Sequence, residues 1–139
     1  MQKSVENSED AKGTILLLDD DPVYLSHGRR ILGDAGYHVI PAQSAIKGLE
    51  ILESRQDIDL IVTDNLMPGL TGLEMAELLY CKSHDMPVVM VSADLHEKVI
   101  TMGRRVGIRW FLQKPYQEVH MHGIVKSVLT SERSRGKSI

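Results

Sequence analysis

The strongest constraint on the fold is an apolar run at residues 60–63 that ends in a single aspartate, Asp64. Pro68, Gly69 and Gly72 follow closely, and residues of these types indicate a turn directly after the run. A short, continuously apolar run bounded by turn residues is typical of a parallel strand buried on both faces. Open α/β folds bind ligands at the carboxyl edge of such a sheet. Asp64 is therefore a candidate site residue, although an aspartate here also suits a turn or a helix N-cap.

Short apolar runs of this kind recur along the chain and alternate with segments of helical periodicity. Strands are predicted at residues 14–18, 38–42, 58–64, 88–91 and 110–113. Helices are predicted at residues 22–35, 44–53, 73–82, 97–106 and 117–130. Asp21 is expected to cap the first helix, and the predicted inward faces include Ile46 and Val119. The alternation predicts a doubly wound α/β domain, with a mostly parallel five-stranded sheet and five helices.

The chain of 139 residues has the length of one domain, with no boundary visible between residues 14 and 130. Residues 1–13 are predicted to be a flexible lead-in, and residues 131–139 a polar tail or the start of a linker. A net charge of −3 argues against direct nucleic acid binding, and no apolar run approaches the roughly 20 residues that span a membrane. A single cysteine, Cys81, favours a cytoplasmic protein.

Polar side chains follow four of the predicted strands. Asp19 and Asp20 follow the first strand, Asp64 the third, Ser92 the fourth and Lys114 the fifth. Because parallel strands end at one edge of the sheet, these side chains are expected to meet in one crevice. Clustered carboxylates suit Mg²⁺, and a cation beside an acceptor carboxylate, a lysine and a hydroxyl is an arrangement suited to phosphoryl transfer.

Four segments carry a family resemblance: Leu-Leu-Leu-Asp-Asp-Asp-Pro ending at Pro22, Asp-Asn-Leu-Met-Pro-Gly starting at Asp64, Val-Val-Met-Val-Ser-Ala ending at Ala93, and Phe-Leu-Gln-Lys-Pro-Tyr starting at Phe111. Over residues 14–130 the chain resembles the receiver domains of two-component response regulators, which have a flavodoxin-like (βα)5 fold. The resemblance implies that Asp64 is the phosphoacceptor. It also implies a cis peptide bond between Lys114 and Pro115.

The resemblance further implies a site for Mg²⁺ or Mn²⁺. Asp20, Asp64 and the backbone carbonyl of Leu66 would bind the metal directly, and Asp19 would hold a metal-bound water. Ser92 and Lys114 would contact the phosphoryl oxygens. Ser92 and Phe111 would form the switch that changes the surface of the fourth helix, fifth strand and fifth helix.

A receiver domain is a signalling module, and assists only its own phosphorylation and dephosphorylation. The implied partners are a histidine kinase or phosphotransfer protein as donor, a downstream effector or output domain, and a second copy of the chain in a phosphorylation-linked homodimer. The sequence departs from the commonest family pattern, with Ser92 for threonine and Phe111 for tyrosine. Leu66 and Asp94 flank the path by which water would attack the phosphoryl group, so they bear on its lifetime.

One alternative belongs to a different class of protein, the small phosphohydrolases of the haloacid-dehalogenase type. Asp19 and Asp21 match the Asp-x-Asp at the end of the first strand in that family, and Asp19 would then be the nucleophile. The alternative leaves Asp64 unexplained, and no acidic motif follows Lys114. Identifying the phosphorylated aspartate distinguishes the two hypotheses.

Overall fold

The computed structural model describes residues 12–82 and 84–134. Its strands are β1 (Thr14–Leu18), β2 (His38–Ala42), β3 (Leu60–Thr63), β4 (Val88–Ser92) and β5 (Trp110–Gln113). Its helices are α1 (Pro22–Asp34), α2 (Ala45–Ser54), α3 (Gly72–Cys81), α4 (Glu97–Arg105) and α5 (Glu118–Ser134). All strand pairs are parallel and the order in the sheet is β2-β1-β3-β4-β5. The predicted doubly wound α/β class is confirmed.

The sheet separates two apolar clusters because successive side chains of a strand point to opposite faces. Leu16 and Leu18 of β1 belong to the cluster that includes the buried side chains of α2, α3 and α4. Ile15 and Leu17 belong to the cluster that includes those of α1 and α5. The central strands are buried on both faces, as the continuous apolar runs predict.

Two predicted inward side chains are in fact exposed. Ile46 is 55% exposed and Val119 is 67% exposed. In α2 the buried face instead contains Ala45, Gly48 and Leu52, and Gly48 lies directly against Leu18 of β1. A glycine at this contact lets the helix axis approach the sheet, which turns Ile46 toward solvent.

The ends of two elements differ from the prediction by two residues or more, and the other differences are of one residue. α5 continues to Ser134, so residues 131–134 of the predicted tail are helical, and Glu132 in this last turn is only 3% exposed. β3 begins at Leu60 rather than at residue 58, although Ile58 is buried. Of the predicted lead-in and tail, residues 1–11 and 135–139 lie outside the described residues. Within the described part of the chain, no helix is both long enough and apolar enough to cross a bilayer.

Candidate functional site

The carboxyl edge of the sheet brings the three predicted acids and Lys114 close together. Asp19 follows β1 and Asp64 follows β3, its neighbour in the sheet. Asp21 caps α1 by accepting a hydrogen bond from the Val23 backbone N–H at 2.9 Å, as predicted, and so turns the chain away from the edge. The resulting crevice is lined by seven residues, namely Asp20, Asp21, Tyr24, Asp64, Ala93, Lys114 and Pro115.

Lys114 joins two of the carboxylates. Its Nζ donates to Oδ2 of Asp19 at 2.6 Å and to Oδ2 of Asp64 at 2.8 Å. The Lys114 side chain is 8% exposed. Burial alone would lower the pKa of Lys114, but the hydrogen bonds to Asp19 and Asp64 outweigh it and raise that pKa above its ordinary value. The lysine therefore stays positively charged at neutral pH. The Lys114–Pro115 peptide bond is cis, as the resemblance implies.

Asp19 is the most buried of the acids, with 5% of its surface exposed. Burial raises its pKa above the ordinary value, and the hydrogen bonds from Lys114 and from the Asp21 backbone N–H only partly offset this effect. The carboxylate is held on both oxygens, because Oδ1 accepts from Asp21 and Oδ2 from Lys114. The Asp19 carboxylate is thus held in one orientation.

The three acids have the geometry of a cation site. Asp19, Asp20 and Asp64 each offer one carboxylate oxygen, and these oxygens lie within 4.8 Å of one another. Asp20 is exposed and Asp64 is partly exposed, so both can reach a hydrated cation. Oxygen ligands beside open solvent suit Mg²⁺, which keeps several waters. The residues present therefore fit the metal that the resemblance implies.

Asp64 itself is held by the loop that follows β3. Its Oδ1 accepts from the Asn65 backbone N–H at 2.7 Å, and the Asn65 side chain accepts from the Leu73 backbone N–H at 3.0 Å. Gly72, the first residue of α3, lies so close to the Asp64 carbonyl that a Cβ at position 72 would overlap it. Thr71 and Glu74 form a capping box that fixes the start of α3. The Asp64 side chain is therefore held on both carboxylate oxygens, by the Asn65 backbone N–H and by Lys114.

Ser92 is the last residue of β4 and Phe111 lies in β5, and neither is among the residues that line the crevice. Ser92 is 1% exposed, and its Oγ accepts from the Asp94 backbone N–H at 3.2 Å. Phe111 pairs in register with Met90 and is half-buried. The end of its ring faces Gly103 of α4, where an added Cβ would lie 2.9 Å from two ring carbons.

One residue of the crevice has no counterpart among the sequence predictions. The Tyr24 ring centroid lies 4.1 Å from Nζ of Lys114, which is a cation–π contact. No sequence pattern indicates it, because the two residues are 90 positions apart and belong to α1 and to the segment after β5. Leu66, whose carbonyl was predicted to bind metal, has an exposed side chain, and the role of its carbonyl stays a prediction.

Comparisons with known proteins agree with this geometry. The sequence model of the response regulator receiver domain matches residues 15–126. Two-component response regulator ARR12 of Arabidopsis thaliana is 32% identical over 127 residues, which is 89% of this chain and 21% of that protein. Two-component response regulator ORR21 of Oryza sativa subsp. indica is 30% identical over 124 residues, 88% of this chain and 18% of that protein. The chain thus spans about a fifth of the length of these relatives.

Solved structures show the same fold. A CheY-like response regulator receiver domain protein from Methanospirillum hungatei JF-1 superposes with a TM-score of 0.83 at 24% identity, covering 88% of this chain and 98% of that one. Chemotaxis protein CheY4 of Vibrio cholerae gives a TM-score of 0.79 at 25% identity, covering 85% of this chain and 99% of that one. The haloacid-dehalogenase alternative, with Asp19 as nucleophile, finds no support in these comparisons.

Proposed function

This chain belongs to the receiver-domain family of two-component response regulators, and on that premise we propose that Asp64 accepts a phosphoryl group from the phosphohistidine of a histidine kinase or phosphotransfer protein. A carboxylate oxygen of Asp64 forms a bond to phosphorus while the phosphorus–nitrogen bond of the donor breaks. The imidazole nitrogen keeps the electron pair of the broken bond, and an acyl phosphate remains on Asp64. The chain is a signalling phosphoacceptor, which assists its own phosphorylation and dephosphorylation only.

The observation that carries the proposal is the Lys114 ammonium, 2.8 Å from the acceptor carboxylate and almost excluded from solvent. Phosphoryl transfer requires positive charge near the phosphoryl oxygens as they approach. The ammonium is charged at neutral pH, and Ala93 and Pro115 line the crevice beside it. Ser92 stands at the end of β4 with a hydroxyl that can donate to a phosphoryl oxygen.

The acid cluster supports a divalent cation as cofactor. Asp20 and Asp64, with the backbone carbonyl of Leu66, would hold Mg²⁺ or Mn²⁺, and Asp19 would hold one of its waters. When bound, the cation neutralises carboxylate charge that would otherwise repel an anionic donor. Asp20 is the ligand with the greatest access to solvent among the three acids.

A small phosphodonor tests the acceptor and the metal together. Incubation with acetyl phosphate and Mg²⁺, followed by peptide mass spectrometry, should locate one adduct on Asp64. Asp64→Asn and Asp20→Asn should lose the adduct, and wild type should lose it when a chelator removes the metal. Asp34→Asn, at an exposed aspartate of α1, is the matched control and should be labelled like wild type. An undiminished adduct in Asp64→Asn would refute the proposal.

The proposed output is a change in the surface formed by α4, β5 and α5. A phosphoryl dianion at Asp64 attracts the Ser92 hydroxyl, and the space between β4 and β5 then favours an inward position of the Phe111 ring. The exposed side chains of Arg104, Arg105 and Arg109 lie on this surface. Exposed arginines next to a half-buried tryptophan, Trp110, are typical of binding surfaces.

Trp110 is the only tryptophan, so its fluorescence reports on this surface directly. Beryllofluoride with Mg²⁺ stands in for the phosphoryl group and should shift the emission of wild type but not that of Asp64→Asn. An unchanged spectrum with beryllofluoride bound would exclude this surface as the output. The proposed partners are the phosphodonor protein, an effector or output domain, and a second copy of the chain after phosphorylation, and the proposed compartment is the cytoplasm.

A further inference from the structure

The Lys114 ammonium is enclosed by two kinds of neighbour. An ammonium has three N–H donors, and two of them are used by the carboxylates of Asp19 and Asp64. The Tyr24 ring covers another side, with its centroid 4.1 Å from Nζ. The negative face of an aromatic ring attracts a cation, most strongly where solvent is excluded.

The Tyr24 ring contacts a second ring, that of Tyr116. Tyr116 lies 6.0 Å from Tyr24 between centroids, at an interplanar angle of 48°. His27, one turn along α1 from Tyr24, also stacks on Tyr116, at 5.9 Å and 15°. Tyr116 lies in turn against Gly28, since an added Cβ there would be 3.6 Å from the Tyr116 hydroxyl. The ring that faces Lys114 is therefore fixed between α1 and the segment after β5.

The same ring also forms part of the crevice. Tyr24 lines it together with Asp20, Asp64 and Lys114, so a group attached to Asp64 enters a space with the ring as one wall. When Asp64 carries a phosphoryl group, the ammonium shifts to donate to a phosphoryl oxygen. Attraction to a ring face depends weakly on direction, so it persists during such a small shift, whereas a hydrogen bond does not.

We propose that Tyr24 is a positioning residue for phosphoryl binding, which acts through Lys114 by holding its ammonium over the crevice and excluding water from it. Excluding water lowers the local dielectric and strengthens the attraction between the ammonium and the phosphoryl oxygens. This inference rests on the proposed function of Asp64 and adds a residue to that site. Its role requires the ring and not the hydroxyl of Tyr24.

The test is the affinity of the protein for beryllofluoride at saturating Mg²⁺, measured by isothermal titration calorimetry. Tyr24→Leu should weaken binding by about 2- to 30-fold, the range that a cation–π contact is worth. Tyr24→Phe should stay close to wild type. Mg²⁺ affinity without beryllofluoride should be the same in all three proteins, because no metal ligand changes. Tyr80→Leu, at an exposed tyrosine of α3, is the matched control and should have no effect.

A double-mutant cycle shows whether the ring acts through the ammonium. In a Lys114→Met background, Tyr24→Leu should cause no further loss of affinity. An equal loss in both backgrounds, or wild-type affinity in Tyr24→Leu, would overturn the inference while leaving Asp64 as the acceptor. Failure of wild type itself to bind beryllofluoride would instead refute the proposed function.

A second series applies if Tyr24→Leu does not fold. Phenylalanine with one, two or three fluorine atoms at position 24 keeps the shape of the ring and progressively weakens its negative face. The affinity for beryllofluoride should fall stepwise through the series. A flat series would overturn the inference.

Discussion

The loop of the proposed acceptor, residues 64–72, and the region of the proposed switch, residues 92–111, each contain a glycine in close contact with a neighbour, but the two neighbours differ in kind. Gly72 lies against the backbone carbonyl of Asp64, whereas Gly103 lies against the end of the Phe111 ring. The Asp64 backbone donates a hydrogen bond from its N–H to the Leu18 carbonyl at 3.0 Å and accepts one at its carbonyl from the Thr63 hydroxyl at 2.7 Å, so it cannot move aside without breaking them. A ring can rotate about its side-chain bonds. The difference indicates that the backbone at Asp64 is fixed, whereas the Phe111 ring has room to move aside.

Gly72→Ala is expected to have the largest effect. The new Cβ would overlap the Asp64 carbonyl, so we expect the free energy of unfolding to fall by about 3 kcal/mol or more. Urea denaturation measures this change. The matched control is Gly33→Ala in α1, where nothing lies near an added Cβ and stability should be kept or slightly raised. A Gly72→Ala protein as stable as the control would remove the contrast between the two regions.

Lys114→Met tests whether the charge of Lys114, in addition to the backbone contacts, stabilises the region around Asp64. The substitution leaves Asp19 and Asp64 without the cation that they share, and the metal-free protein should lose about 2 kcal/mol of stability. This estimate is below the usual cost for a fully buried pair because the crevice is open to solvent. Lys47→Met, at an exposed lysine of α2, should stay within about 0.5 kcal/mol of wild type. Equal stabilities of the two variants would mean that the backbone alone positions Asp64.

Gly103→Ala tests the mobility of the switch side chain. Because the end of the Phe111 ring can move away, we expect a cost of only about 1 kcal/mol, partly offset by the better helix propensity of alanine. Phe111 is the only phenylalanine, so 4-fluorophenylalanine labelling gives a single fluorine resonance. That resonance should shift in Gly103→Ala and stay unchanged in Gly33→Ala. A large loss of stability with an unmoved resonance would show that the ring is as fixed as the acceptor backbone.

The burial of Asp19 should make the stability of the protein depend on pH. Of the four effects predicted in this section, we expect this one to be the smallest. The raised pKa means that the folded state keeps this proton where the unfolded state has lost it. The contribution of Asp19 to the unfolding free energy is fully present below its ordinary pKa of 3.8 and is lost as pH rises through the raised value. We therefore expect the unfolding free energy of wild type minus that of Asp19→Asn, both measured with a chelator present, to fall as pH rises from 3.8 through the raised pKa of Asp19. A difference independent of pH would contradict the assignment.

Much of this architecture could be predicted because it depends on local patterns. The bounds of β1, β2 and β5 agree with the prediction, since apolar runs between turn residues indicate buried strands. Asp21 and Pro22 indicated the start of α1. Ile46 and Val119 were wrongly assigned to the buried faces of their helices. Helical periodicity does not distinguish two adjacent faces of a helix, and packing against the sheet decides which of them is buried.

The order of residues along the chain was sufficient to predict which side chains end the strands, and therefore that carboxylates, a hydroxyl and a lysine share one edge of a parallel sheet. The place of Lys114 between Asp19 and Asp64, with the Tyr24 ring facing its ammonium, depends on how the elements pack. The two differ because the interactions that set them have different ranges. Strand ends follow from hydrogen bonding and burial within a few residues, whereas the contacts of Lys114 join segments up to 95 residues apart and depend on how helices pack on the sheet.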